Sequence, residues 1–386
     1  MKELSESPMQ VTRLDSLDEM AALQSEWREL ESRCAGLTPF STWEWCDAVA
    51  RYRIDGQPLA VFALRDRGEL LGIAPFATTR FAGLRTFRLL SSGLGRYSLA
   101  DYQDLPMADE RRGDVIEALC DALARQRGWD VLHLQELPPS SRTTADLMSA
   151  AARRGWPVIL QSGSDVHMLN ISGDWESYRA SLSRSVRNDT GRQTRKLVGE
   201  YGASFATIGD DHTAAGKAME QLFDLHTRRW QASGQPGIFR SQDRRDFHLE
   251  VARRFAGRGM LELSLLQAGD DTIAIKYGFK SDGTVYYYAA GYSPDEQWRH
   301  YRLGMILDFQ IMEDAFARGL HCIDLMRGEG HYKDHYRMDT HLNQDLLIFR
   351  NRRAQLQYRM AVSARATAAR LRDRLRKAKA KRGATD

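Results

Sequence analysis

Cysteine is scarce in this chain. Four stand in 386 residues, Cys34, Cys46, Cys120 and Cys322, and no two form a C-x-x-C pair. That spacing offers neither a disulfide framework nor a zinc site, and it fits a reducing cytosol. Long apolar runs are missing too. Leu70–Ala77 is among the longest, well short of the roughly 20 residues a spanning helix needs. The opening MKELSESPMQ is polar and acidic, with no charged-then-apolar leader, so a cleaved secretory signal is not expected. Nor is there an excess of one charge: 55 Lys and Arg face 51 Asp and Glu, a net +4. That balance argues against a chain that coats nucleic acid.

What is present is ordinary globular composition, 42% hydrophobic and 27% charged, which excludes wholesale disorder. The length suggests two domains. The charge is unevenly placed. From Arg350 onward, 13 Lys and Arg meet only Asp373 and Asp386, so this tail carries +11 and the remainder of the chain −7. The tail has helix-favouring Ala, Leu, Arg and Lys, with a thin apolar stripe of Leu356, Met360, Leu371 and Leu375. Three readings of it stay open: a solvated basic helix, a peripheral dock on anionic lipid, and a nucleic-acid contact.

Local pattern gives a coarse map. A helical pattern runs around Leu17–Leu30, and Thr38-Pro-Phe leads into a short aromatic helix at Trp43. Leu59–Leu64 and Leu70–Phe76, joined through Asp66-Arg-Gly68, predict a β-hairpin. Val115–Leu123 is helical, Trp129–Leu134 is a strand, and Thr144–Arg154 is a helix ended by Gly155 and Pro157. The second half repeats this order. A shift of 202 lays Leu261–Leu266 and Thr272–Gly278 on the first hairpin, and a shift of 191 lays Gly319–Leu325 on Gly128–Leu134. The order hairpin, helix, strand predicts an α/β (α+β) fold with helices packed on mixed sheets. Between the halves, Asp174–Ala203 places Arg179, Arg184, Arg187, Arg192, Arg195 and Lys196 on a helix. It reads either as a solvated face or as a basic surface that receives an anionic substrate.

Val285–Met338 is the most informative segment. Val285–Ala290 predicts a strand, Gly291–His300 a loop, and Tyr301-Arg-Leu-Gly-Met305 the start of an amphipathic helix ended by Gly319. Cys322–Met326 predicts a second strand holding Asp324, followed by the polar loop Gly328-Glu-Gly-His-Tyr-Lys333. Strand, glycine-bearing turn and helix start together form an anion-binding device, because the first helical turn has free N–H groups and the positive end of the dipole. His331 and His335 flank Lys333 without a third ligand, so no metal is expected.

This segment resembles the C-terminal half of the CelD-like acetyltransferases, a branch of the GNAT superfamily associated with cellulose and exopolysaccharide production. The residues that carry the likeness are Tyr288, Gly291-Tyr, Trp298, Tyr301-x-x-Gly304-x-x-Leu307, Gly319, and Asp324-x-x-Arg327-Gly-x-x-x-Tyr332-Lys333. Arg187…Arg195-Lys, His226…Trp230 and Gly237-x-Phe239 add to it upstream. The resemblance implies two tandem GNAT-like domains, as in the related Fem-type transferases. These are a degenerate domain at 1–165, an acyltransferase domain at 166–350 and a basic helical tail at 351–386. It also implies that Tyr301, Arg302, Leu303, Gly304 and Met305 hold the pyrophosphate of acetyl-coenzyme A. Where the family has Ser-Pro-Gly, this chain has Arg302-Leu303-Gly304. In the first half, Asp114 takes the place of Met305, and its like charge disfavours a pyrophosphate there.

Acetyl transfer to an amine needs a neutral amine, a polarised thioester and a stabilised thiolate. By the resemblance, a strand N–H polarises the thioester. Glu329 and Asp324 are the candidate bases, Tyr332 or Tyr336 would protonate the thiolate, and Lys333 would neutralise charge. Asp324 has a bland alternative, a pair with Arg327 or a turn cap. Arg187, His226, Lys276, Tyr288 and Arg327 are expected at the acceptor, with His226 equally readable as a satisfied interior histidine. The expected function is an acyl-coenzyme A-dependent N-acyltransferase in the cytoplasm, at most peripheral to the inner membrane face. Its acceptor would be an amine such as an amino sugar or sugar nucleotide for polysaccharide. The alternatives are a Fem-like aminoacyl-tRNA-dependent transferase, and an inactive scaffold touching a polysaccharide synthase through its tail.

Overall fold

The computed structural model describes residues 9–52, 57–91, 100–328 and 333–382. The first half runs β1 (Gln10–Leu14), α1 (Leu17–Ala22), α2 (Gln24–Glu31), α3 (Trp43–Tyr52), β2 (Leu59–Asp66), β3 (Glu69–Phe81), β4 (Leu84–Leu89), α4 (Arg112–Arg125), β5 (Val131–Leu137) and α5 (Thr143–Arg153). Then come β6 (Val158–Asn170), α6 (Trp175–Ser181) and α7 (Arg184–Tyr201). The second half repeats the series as β7 (Ser204–Ile208), α8 (His212–Ala232), α9 (Gln242–Ala256), β8 (Leu261–Ala268), β9 (Asp271–Ser281), β10 (Thr284–Tyr292), α10 (Leu303–Ala317), β11 (Cys322–Arg327) and β12 (Asp339–Phe349). The tail is α11 (Arg352–Arg382).

Both predicted hairpins form, because each has apolar residues over a tight turn. In the first, Arg67 and Gly68 take positive φ, as a two-residue hairpin turn requires. The predicted helix over 17–30 divides at Leu23, whose N–H bonds back to Met20. The predicted basic helix also divides. Leu182 is extended and buried, and Ser183 caps a new start by accepting from the Val186 N–H at 3.3 Å.

All twelve strands join in one sheet, ordered β1-β2-β3-β4-β5-β12-β6-β11-β10-β9-β8-β7. Its centre is an exchange. β6, which follows the first half, pairs antiparallel with β11 of the second. β12, which follows the second half, pairs antiparallel with β5 of the first. The two exchanged strands also pair with each other, from Asp339↔Met168 to Ile348↔Val158. The expected division at 165/166 falls inside β6, whose two edges pair with β12 and β11. Among the described residues each half has one short parallel pair: Thr86↔Val131 to Arg88↔His133 between β4 and β5, and Thr284↔Cys322 to Tyr286↔Asp324 between β10 and β11. Past Tyr286↔Asp324, β10 runs on to Tyr292 and β11 to Arg327 without pairing, which leaves a V-shaped opening in the second half.

The cores follow the same exchange. α6, α7 and α10 cover one face of the second-half sheet around Val285, Tyr287, Ile306 and Ile323. The opposite face carries α8 and α9, and into it the first half inserts Phe40, Trp45 and Tyr102. Phe40 lies 4.8 Å from Trp45 and 5.7 Å from Phe279, ring centre to ring centre. One core thus spans both halves. Phe40→Ala is expected to remove about 3–5 kcal/mol and to shift one cooperative transition, with fluorescence and circular dichroism coinciding during urea unfolding. Two separate steps would show that the halves fold independently.

Candidate functional site

The V between β10 and β11 is built by strand irregularities. The pairing of β10 with β9 skips Tyr288, leaving a bulge between Tyr287↔Gly278 and Ala289↔Tyr277. Gly278 makes room for it: a Cβ there would meet the Tyr286 carbonyl at 2.6 Å. On β11, Met326 takes φ +54 and the register with β6 shifts between Asp324 and Arg327. Glu136 of β5 takes φ +52 at the corresponding place in the first half.

Asp324 stands where the strands part. It is 1% exposed, and its Oδ1 accepts from the Met326 N–H at 2.6 Å and from the Tyr102 hydroxyl at 3.1 Å. Burial and the Asp324 charge raise the Tyr102 hydroxyl far above its usual range, so it stays a donor. Of the two bland readings of Asp324, the turn cap is the one observed, in its bond from the Met326 N–H two residues on. Arg327 Nε lies 2.5 Å from Asp101 Oδ1 and its Nη1 is 3.9 Å from Glu136. Both links cross between halves.

A cavity of about 520 Å³ opens on this face, lined among others by Thr38, Tyr102, Asn170, Tyr286, Asp324 and His341. Tyr288 follows on the same side of β10, its ring 5.1 Å from that of His248. Burial and the Asp101 charge push the Tyr288 hydroxyl up, opposed by Arg327 and Arg244. Beside it, His248 Nδ1 and Tyr277 Oη are buried and have no hydrogen-bond partner among the described residues. A larger cleft of about 770 Å³ lies elsewhere, around Arg33, Arg258 and Lys280. Its charges are already matched: Arg258 by Glu31 and Glu44, at 2.7 and 2.6 Å, and Arg33 by Glu69 and Glu110.

The turn expected to hold an anion is intact but starts two residues later, since α10 begins at Leu303 with Arg302 as its N-cap. No side chain of its own caps it. The Arg302 N–H is taken by Gln193 Oε1 of α7 at 2.7 Å, which leaves the first-turn N–H groups of Leu303, Gly304 and Met305. The side chains of Leu303 and Met305 are buried in the core, so only their backbone faces a ligand. A Cβ at Gly304 would meet the Tyr292 ring at 3.1 Å. Tyr301 donates to Glu200 at 3.4 Å and lies under the Lys196 ammonium. Arg229 lies over the Tyr292 ring, 4.7 Å from its centre. The turn is therefore uncapped and ringed by Arg302, Lys196 and Arg229, which fits a diphosphate. The first-half counterpart does not fit one: Arg111 bonds Asp114 at 2.7 Å and Asp66 at 2.9 Å across the start of α4.

The other predicted residues divide. Asp324, Arg327 and Tyr288 come together, joined by Asp101 and Tyr102. Lys276 does not join them. It points to the α10 face, where it forms a buried ion pair with Asp308. Tyr336 is on that face too, its hydroxyl donating to Asp308 at 2.9 Å. Arg187 is half-buried on α7, and its Nε has no partner among the described residues. Glu329 and Tyr332 lie outside the described residues, and Lys333 opens a short turn, Lys333–Tyr336. His226 is an interior histidine. Its Nε2 accepts from the Ile238 N–H at 3.2 Å, so Nδ1 carries the proton and donates to the Ala290 carbonyl at 2.9 Å. Tyr102 belongs to Asp101-Tyr-x-Asp104, a looser part of the family resemblance, and Tyr286 to the aromatic run Tyr286-Tyr-Tyr288, of which one member is expected to face the acceptor. The sequence pattern gives neither a role, because the contact that reveals Tyr102 spans 222 positions.

Burial lowers the His226 pKa from 6.5 to about 4. The unfolded chain takes up this proton near 6.5 and the folded chain only near 4, so stability falls as pH falls through that window. The loss on this account is roughly 3 kcal/mol, read as a lower urea midpoint. His226→Asn is expected to flatten the trend between those pH values. An equally steep trend in that variant would contradict this reading.

Residues 184–334 match the family described as an acetyltransferase (GNAT) domain. The chain thus carries a GNAT acetyltransferase domain, an enzymatic domain of acyl transfer, and its span runs from α7 to the turn after β11. No curated protein sequence matches the chain. Among solved structures it is similar in fold to FemX, at 10% identity and a TM-score of 0.56, over 87% of this chain and 96% of that one. It is similar also to the C-terminal domain of a putative lysylphosphatidylglycerol synthetase from Agrobacterium fabrum, at 11% identity and a TM-score of 0.51, covering 90% and 96%. The L-PGS of Bacillus licheniformis follows at 9% identity and a TM-score of 0.51, covering 89% and 95%. All three likenesses run through both halves.

Proposed function

We propose that the chain is an acyl-coenzyme A-dependent N-acyltransferase, with acetyl-coenzyme A as donor and an amine as acceptor. The observation that carries it is one alignment of parts: an uncapped, basic helix start at Leu303–Met305 at one end of a V-shaped strand opening, and Asp324 at the other. The backbone N–H groups of α10 and the charges of Arg302, Lys196 and Arg229 hold a diphosphate. The bulge at Tyr288 aims backbone into the V, where a carbonyl is polarised by an N–H. Coenzyme A, when bound, supplies the thioester acyl group and a thiolate leaving group.

Asp324 takes the proton of the attacking amine, directly or through one water, and Tyr102 holds the carboxylate in place. Arg327 stays fixed by Asp101, so its charge borders the acceptor without neutralising Asp324. Glu329 is the second candidate base, and Tyr332 and Lys333 remain assigned to the leaving thiolate and to anion neutralisation. The acceptor lies in the cavity between halves, among Thr38, Tyr286, Asn170 and His341. The CelD-like resemblance favours an amino sugar or sugar nucleotide of polysaccharide or cell-envelope synthesis. The first half completes this cavity and holds no donor of its own.

A second reading is aminoacyl transfer, favoured by the likeness in fold to the C-terminal domain of a putative lysylphosphatidylglycerol synthetase, which runs through both halves. The donor separates the two. With acetyl-coenzyme A and a panel of amino sugars, free-thiol release should be acceptor-dependent. Asp324→Asn should lower kcat by about 10²–10⁴-fold. Tyr102→Phe should lower it by roughly tenfold and move the acidic limb of the pH profile. Acceptor-dependent deacylation of aminoacyl-tRNA, read as transfer of a labelled aminoacyl group with release of free tRNA, and no thiol release from acetyl-coenzyme A, would establish the second reading. An unchanged kcat in Asp324→Asn would pass the base role to Glu329 or to solvent.

A further inference from the structure

α11 is 31 residues long, about 46 Å at helical rise, and only its root is attached. Ala354 is buried, Tyr358 packs on Phe349 and Phe81, and Gln357 Nε2 donates to the Ala82 carbonyl at 2.8 Å. Arg365 adds a contact over the Phe81 ring at 4.3 Å. Every residue from Val362 to Arg372 is exposed.

A second side of the helix is apolar and exposed among the described residues. Leu356, Met360 and Leu371 are 59%, 58% and 58% exposed. Their spacing of four and eleven residues sets them within about 60° of one another around the axis, well away from Ala354, Tyr358 and Arg365. Arg359 and Arg370 border this stripe on one side, by the same geometry, whereas Arg372 lies on the side of Ala354. No helix among the described residues is long and apolar enough to cross a membrane.

We infer that this face of α11 docks on an anionic lipid bilayer. Charge and shape select that occupant. An amphipathic helix with basic borders lies in the headgroup plane, with its apolar side chains just below the surface and its arginines at the phosphates. The tail carries +11 and the body −7, so an anionic surface attracts the tail and repels the body. A second copy of the chain would bring +11 against +11, with a stripe of three large side chains to offset it. Nucleic acid would satisfy the arginines but leave the Leu and Met stripe in water.

Sedimentation of the full-length protein with vesicles tests this. Vesicles of phosphatidylcholine and phosphatidylglycerol in equal parts should carry the protein down at low salt. Vesicles of phosphatidylcholine alone should not, and high salt should release it. Met360→Glu with Leu371→Glu should weaken the partition by about tenfold or more, while circular dichroism shows an unchanged fold. Arg359→Ala with Arg370→Ala should weaken it from the charge side. The inference is overturned by absence of partition at low salt, or by partition that the Glu pair leaves intact. A doubled solution mass that the Glu pair abolishes, or binding to duplex DNA that anionic vesicles fail to displace, would overturn it as well.

Discussion

A strand inside a sheet must pair both of its edges, since a buried backbone N–H or C=O without a partner costs as much as a lost hydrogen bond. Neither half of this chain meets that demand by itself. β5 finds its second neighbour in β12 and β11 finds its own in β6, each supplied by the segment that follows the other half. The pairing of β6 with β12 then closes the sheet. Everything at the site depends on this exchange. It sets the opening between β10 and β11 within one sheet, and it brings the Asp101–Tyr102 segment of the first half against Asp324 and Arg327 of the second.

The halves have kept one plan and diverged at its chemically decisive points. At the end of the short parallel pair, Arg88 and His133 stand in the first half where Tyr286 and Asp324 stand in the second. Neither α4 nor α10 has a side-chain cap, but at the start of α4 Arg111 is held by Asp114 and Asp66 at hydrogen-bond distance, whereas Arg302 has only Asp189 among the described residues, at 3.9 Å. The first helix start is occupied by its own charges, and the second half keeps a carboxylate, a bulge and a basic helix start. An asymmetric division of labour follows: the second half for the donor, both halves for the acceptor.

Much of this was legible in the sequence, and the rest was not for definite reasons. The hairpins β2–β3 and β8–β9 declare themselves by apolar runs over a turn, and α4, α10, β5 and β11 by periodicity and the shift of 191. β6 and β12 do not. Gln161-Ser-Gly-Ser-Asp165 and His341-Leu-Asn-Gln-Asp345 are polar stretches that become strands because each pairs with the other. Lys276 reads as a cleft residue from its place beside Tyr277, but strand alternation turns it to the opposite face, against Asp308. Asp324 was visible as a candidate. Tyr102 was visible only as part of the looser resemblance Asp101-Tyr-x-Asp104, and its pairing with Asp324 was not, because no local pattern links residues so far apart in the chain.

The account rests on the donor lying at the α10 start. Calorimetric titration of the purified protein with acetyl-coenzyme A, beside a Gly304→Glu variant, addresses that directly. A side chain at 304 would press on the Tyr292 ring and set a negative charge in the turn. Saturable binding in the wild type, lost in a variant that keeps its unfolding transition, is the predicted result. No binding to the wild type, or equal binding to a folded Gly304→Glu protein, would contradict the account.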